Sequence, residues 1–95
     1  MPGVVRLGDT CSGHGAFPSR AVDQGSPNVN INGKPAVRVG DHWVTHCDPK
    51  PSCHDSVGAL GSPTVFVNGK PLMRVGDAIA CGSTAATGSS DVNAN

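Results

Sequence analysis

An all-β fold follows from three features of this 95-residue chain. A 17-residue segment occurs twice, at 25–41 and 61–77, identical at 12 positions with an offset of 36 residues. Each copy carries Asn-Gly between two short runs of alternating apolar residues, the pattern of a hairpin closed by a type I′ turn. No stretch sustains an apolar period of 3.6; Ser56 to Leu60 comes nearest and is too short for a helix.

In the first copy Val29 and Ile31 alternate with Asn28 and Asn30, Asn32-Gly33 makes the turn, and Val37 and Val39 flank Arg38 on the return. The second copy repeats this with Val65, Val67, Asn68-Gly69, Met73 and Val75. Pro35 and Pro71 lack a backbone N–H and suit the start of a return strand. A third copy is split across the termini: residues 88–95 match the first half of the unit and residues 1–9 the second half. Asn95 then stands opposite Asn32 and Asn68, and Met1 opposite Gly33 and Gly69. Spacing from Arg6 to Arg38 is 32 residues, from Arg38 to Arg74 36, and through the termini 27, so the whole chain, 1–95, reads as one domain of three units in a pseudo-threefold ring with adjacent ends. An open solenoid would carry caps in place of ends that complete each other.

Only Phe17, Trp43 and Phe66 are aromatic, against 13 Gly and 8 Pro. So thin a core predicts a staple: disulfides, a metal, or burial against another subunit. Seven basic residues balance seven acidic ones and are spread evenly, unlike the clustered basic footprint of a nucleic-acid binder. No run approaches a transmembrane span, and the first residues do not form a secretory signal, which predicts folding in a reducing cytoplasm. There, four Cys beside four His read as metal ligands sooner than as disulfides.

Gly-Asp closes every return strand at Asp9, Asp41 and Asp77, and the loops that follow should emerge at one end of the ring. They hold every His and Cys: Cys11 and His14; His42, His46, Cys47, Cys53 and His54; and Cys81. Zinc takes about four N or S ligands in a tetrahedron. The third loop can offer only Cys81, and the first offers His14 or Cys11. The second must supply two, for which His46 and His54, flanking Asp48-Pro49-Lys50-Pro51, are the best placed. His42 reads alternatively as a partner of Asp41, Cys47 and Cys53 as small buried residues or a loop disulfide, and Cys11 as a plain hydrophobe. Arg6, Arg38 and Arg74 read as outward residues in exposed pairs with the Asp three positions on, which contribute about 0–1 kcal/mol, or as a symmetric ring facing a threefold partner.

Met1-Pro2-x-Val4-x-Arg6-Leu7-Gly8-Asp9, the doubled Gly-Ser-Pro-x-Val-x-Val/Ile-Asn-Gly-Lys-Pro-x-x-Arg-Val-Gly-Asp, and Cys81-Gly82-Ser83 with Thr87-Gly88-Ser89 resemble the PAAR-repeat proteins over essentially the whole chain. The resemblance implies a small all-β cone with a zinc ion at its apex. It implies docking as a monomer on the blunt end of a trimeric β-helical spike, VgrG-type in type VI secretion systems or the spike of a contractile phage tail. Zn2+ would be held by three His and one Cys, carried here onto His14, His46, His54 and Cys81, with His42 the main competitor. The implied role is a non-catalytic tip that sharpens the spike for membrane puncture, meets the membrane only transiently and can carry effectors. Since the chain ends at Asn95, inside the ring, cargo is expected to attach noncovalently. Val29, Ile31, Val65, Val67 and Val92 are the expected base contacts. Assembly is expected in the cytoplasm, then export at the spike tip or incorporation in a virion. In the last copy Ser90-Asp91 replaces Pro-Asn/Thr and Ala94 replaces Ile31/Val67, which predicts a frayed final strand.

The competing classes are a zinc-dependent hydrolase, which needs an open coordination position and a cleft, and a small zinc-binding adaptor. Neutral charge and few aromatics weigh against nucleic acid. The missing export signal weighs against a disulfide-rich secreted domain.

Overall fold

The structure is a computed structural model that describes residues 2–50 and 52–95. Two sequence expectations, the placement of Met1 opposite the Asn-Gly turns and the Pro51 half of the Pro-rich turn, lie outside those residues. Among the described residues there is no helix. The strands are β1 (Asn30–Ile31), β2 (Lys34–Pro35), β3 (His42–Cys47), β4 (Cys53–Val57), β5 (Phe66–Val67) and β6 (Lys70–Pro71), paired antiparallel as β1–β2, β3–β4 and β5–β6. The molecule is elongated, 39 × 24 × 21 Å.

Both repeat hairpins turn as their sequence dictates. Asn32 and Gly33 have φ of 55° and 78°, and Asn68 and Gly69 have 54° and 76°, the left-handed pair that a type I′ turn requires. The ladders nonetheless stop after two residues on each strand, at Asn30↔Pro35 and Phe66↔Pro71, because proline offers no N–H to extend them.

From Val37 and Met73, two residues past the prolines, each return segment leaves its own hairpin and bonds to the next unit. Val5 N–H donates to the Met73 carbonyl (3.0 Å), Val37 N–H to Val5 (3.1 Å) and Met73 N–H to Val37 (2.9 Å), a closed triangle of backbone bonds. A second triangle runs from Leu7 to Pro35 (2.8 Å), Val39 to Pro71 (2.9 Å) and Val75 to Gly3 (2.9 Å). The split unit takes part on equal terms. Val4 N–H donates to Val92 at 2.9 Å, matching Ala36 to Val29 at 2.9 Å and Leu72 to Val65 at 3.0 Å. The final strand is therefore not frayed: Gly3 pairs with Asn93, and Ala94 is buried. Its serine explains why the lost proline is tolerated. The Ser89 hydroxyl accepts the Asp91 and Val92 N–H groups, as Ser26 and Ser62 do for their own i+2 and i+3 residues.

Side chains of Val5, Val37 and Met73 meet inside the first triangle with no exposed surface and are joined by Cys11, Val22, Trp43, Ile79 and Ala85. Val4, Ala36, Val67, Leu72 and Ala94 form a second cluster toward the Asn-Gly turns, flanked by Val29, Ile31 and Val92. Val65 is more exposed than its counterparts Val29 and Val92, and Phe66 beside it is exposed too. Where the other two units place Val on the axis, the second places Met73, which fills the asymmetry. Met73→Ala is expected to cost about 2–5 kcal/mol, read as a lower urea midpoint at unchanged m-value. A smaller loss than for Val29→Ala would contradict the axial position.

The Arg-x-Gly-Asp segments correct the reading of exposed pairs. Each is a tight turn in which the Asp N–H donates to the Arg carbonyl, with Gly8, Gly40 and Gly76 at φ of 90°, 92° and 93°. The carboxylate then accepts both the backbone N–H and the guanidinium of the same arginine. For Arg38 and Asp41 these bonds are 2.7, 2.9 and 2.8 Å, and Asp41 is fully buried. Arg6 and Arg38 also reach across units, to Asn32 (3.2 Å) and Asn68 (2.9 Å). The guanidinium groups thus face their own chain, and those of Arg6 and Arg38 bind neighbouring units together.

Candidate metal centre

Three loops, one after each Asp-closed turn, deliver the site. In the first, Gly13 and Gly15 take positive φ and His14 pairs back-to-back with Phe17 (His14 N–H to Phe17 carbonyl 3.0 Å, Phe17 N–H to His14 carbonyl 2.8 Å), which turns the imidazole inward. In the second, β3 and β4 place His46 directly opposite His54. The third contributes Cys81 from a turn closed by the Gly82 N–H on the Ile79 carbonyl (3.0 Å), with Cys81 packed on the axial cluster.

His14, His46, His54 and Cys81 offer four ligand atoms, all within 4.8 Å of one another. The Nε2 atoms of His46 and His54 are 2.6 Å apart, and those of His14 and His54 3.1 Å. Nitrogens at about 2.0–2.1 Å from one zinc in a tetrahedron lie about 3.3 Å apart, so this cluster has the dimensions that one ion spans. The donor set also fits: three imidazoles and a thiol suit zinc. His46 Nδ1–H donates to the Pro18 carbonyl at 2.8 Å, which leaves the lone pair on Nε2, facing the cluster. Burial, followed by the neighbouring His46 and His14, pushes the His54 pKa below its ordinary value and favours the neutral, ligating form.

Phe17 escaped the sequence reading. Its ring lies 4.8, 5.0 and 4.3 Å from the rings of His14, His46 and His54 and walls one side of the site. The signal was faint: one of three aromatics, placed in a ligand-bearing loop.

The remaining soft residues are used elsewhere. Cys47 and Cys53 are bonded as a disulfide, which bears out the loop-disulfide alternative for this pair and corrects the general preference for metal ligands over disulfides; they are directly opposed across β3–β4, so register brings their side chains together. Cys11 is a buried core thiol that accepts the Arg20 N–H at 3.2 Å. His42 neither joins the cluster nor pairs with Asp41, whose carboxylate is taken by Arg38. Its Nδ1 lies 2.6 Å from Asp23 and its Nε2 2.8 Å from Asp55.

Hydrogen bonds to Asp23 and then Asp55 raise the His42 pKa. A raised folded-state value means that this contribution is complete below the unfolded pKa of about 6.5 and fades as pH rises through the folded value. The half-exposed site limits it to less than about 1 kcal/mol. His42→Gln should therefore lower the melting midpoint at pH 6 and have no effect at pH 9; an equal loss at both pH values would contradict the ion-pair account.

A family model described as the PAAR motif matches residues 12–87, most of the chain. The chain belongs to the PAAR-motif family. That match spans both complete repeats and all four clustered residues, and the helix-free architecture is that of the all-β PAAR cone. A search of curated proteins finds no match to this PAAR chain.

Proposed function

We propose that this PAAR-motif chain is a non-catalytic, zinc-stapled tip that caps the trimeric β-helical spike of a contractile injection machine, VgrG-type or phage-like. The observation that carries the reading is the meeting of His14, His46, His54 and Cys81 from three separate loops in a chain of this family. Zn2+ supplies four bonds that tie the loops into one unit. Four protein ligands close a tetrahedral shell, the arrangement of a structural and not a catalytic zinc. At the other end, two Asn-Gly hairpins and the paired strands of the split unit suit a partner with true threefold symmetry, where a single copy can cover three sheet edges. The partly buried Val29, Ile31 and Val92 and the exposed Val65 and Phe66 supply apolar surface for that contact. The chain is assembled in the cytoplasm and leaves at the head of the spike, where it can carry effectors and touches the target membrane only in passing.

Native mass spectrometry tests both ends. The expected results are one zinc per monomer, its loss or loosening in Cys81→Ser, and one monomer per trimer with a VgrG-type spike. Metal-free, folded protein would overturn the staple, and a 3:3 stoichiometry would overturn the capping geometry.

A further inference from the structure

The second loop supplies two of the four clustered ligands, and its geometry contains a device the zinc site does not require. Along β3–β4 the register shifts between Trp43 and His46, so the inner pairs, His42↔Val57 and Trp43↔Ser56, do not dictate the pairing farther out. Outside the shift come His46↔His54 and, immediately next to it, Cys47↔Cys53, which is covalently closed, followed by a backbone bond from the Asp48 N–H to the Ser52 carbonyl at 2.9 Å. The disulfide therefore sits one residue from each of two ligands and is the covalent part of what holds the register that opposes them. Cys53 is exposed, within reach of a redox partner in solution. Beyond the disulfide, Asp48 Oδ1 accepts the Ser52 N–H at 2.6 Å and the Lys50 N–H at 3.1 Å, so opening the S–S bond loosens the hairpin without dissolving it.

We infer that Cys47 and Cys53 form a redox-active pair coupled to the metal centre: the disulfide preorganises the His46/His54 limb, and the dithiol form binds zinc more weakly. This rests on the zinc reading above. In the oxidising direction a small-molecule disulfide such as oxidised glutathione accepts two electrons. The Cys47–Cys53 bond forms, the glutathione S–S bond breaks, and the two thiol protons leave with the two glutathione thiols. A site completed in this way is weaker in a reducing compartment and tighter once the chain meets an oxidising one. Coupling is reciprocal: whatever factor the disulfide adds to zinc affinity, zinc adds to the disulfide's resistance to reduction.

The test compares zinc affinity, by competition with a chromophoric chelator, for oxidised full-length protein, the same protein held reduced by a phosphine, and Cys47→Ser/Cys53→Ser. It is paired with the oxidised fraction at fixed glutathione ratios, with and without zinc, read as the mass of alkylated protein. Oxidised protein is expected to bind zinc roughly 10-fold or more tightly than either dithiol or double variant, the range seen when groups that orient a ligand are lost. Zinc should shift the glutathione midpoint by the same factor. If the double variant does not fold, reduced wild type carries the comparison. Equal affinities with an unmoved midpoint, or tighter binding by the reduced form, would overturn the coupling while leaving the zinc centre standing. No zinc bound by any form would overturn both.

Discussion

Stripping zinc with a strong chelator is expected to lower the melting midpoint by roughly 15–30 °C. A ligand present at about a thousand times its Kd stabilises the folded state by about 4 kcal/mol, and each kcal/mol moves a domain of this size by about 4–8 °C. The effect is large because His14, His46 with His54, and Cys81 belong to three separate loops, which a single ion would tie together. The backbone triangles through Val5, Val37 and Met73 do not involve those loops, so the β-type circular dichroism of the core should persist at low temperature in the metal-free protein. Calorimetry with and without chelator checks this, and an unchanged midpoint would reject zinc as the staple.

Asp41→Ala is the most damaging single substitution expected in the body of the fold, at about 3–5 kcal/mol. It takes the counter-charge from the Arg38 guanidinium, 6% exposed against the carboxylate's 0%, and also leaves the Arg38 N–H without its carboxylate acceptor. The equivalent changes at Asp9 and Asp77 should cost less, since their arginine partners keep 17% and 19% exposure and water can take over part of the lost bonding. Urea titration of the three variants gives the order. Equal losses would mean that the turn, which all three share, and not burial of the pair, sets the energy. Asp9 adds an acid limb. Burial pushes its pKa up, but hydrogen bonds from the Arg6 side chain and backbone and from Thr87 outweigh this and hold it below the ordinary carboxylate value. Its contribution is therefore present above the unfolded pKa of about 3.9 and is lost as pH falls through the folded value.

Local chemistry was legible wherever the determinants are neighbours in the chain. Asn32-Gly33 and Asn68-Gly69 specify their turn because few other residue pairs accept two successive positive φ values. The meeting of His14, His46, His54 and Cys81 could be anticipated from two facts of sequence, the ring of repeats and the confinement of soft residues to loops on one side of it. Choosing among the cysteines was harder. Cys47 differs from Cys81 only in what stands opposite it, and that is set by the β3–β4 register, which the shift after Trp43 makes unreadable from alternation alone.

Repeat number, turn type, the all-β class and the loops that carry ligands were thus written in residues close together along the chain, where dihedral preference and spacing act without help. Burial of the Arg–Asp pairs, the pairing of the last strand, the Cys47–Cys53 bond and the placing of Phe17 against three imidazoles were decided only on folding. Each depends on groups from different units or strands coming together. Arg38 is taken out of water by Asn68, 30 residues away, Val4 is paired by Val92 across the termini, and the backbone groups of Val5, Val37 and Met73 find their partners in neighbouring units.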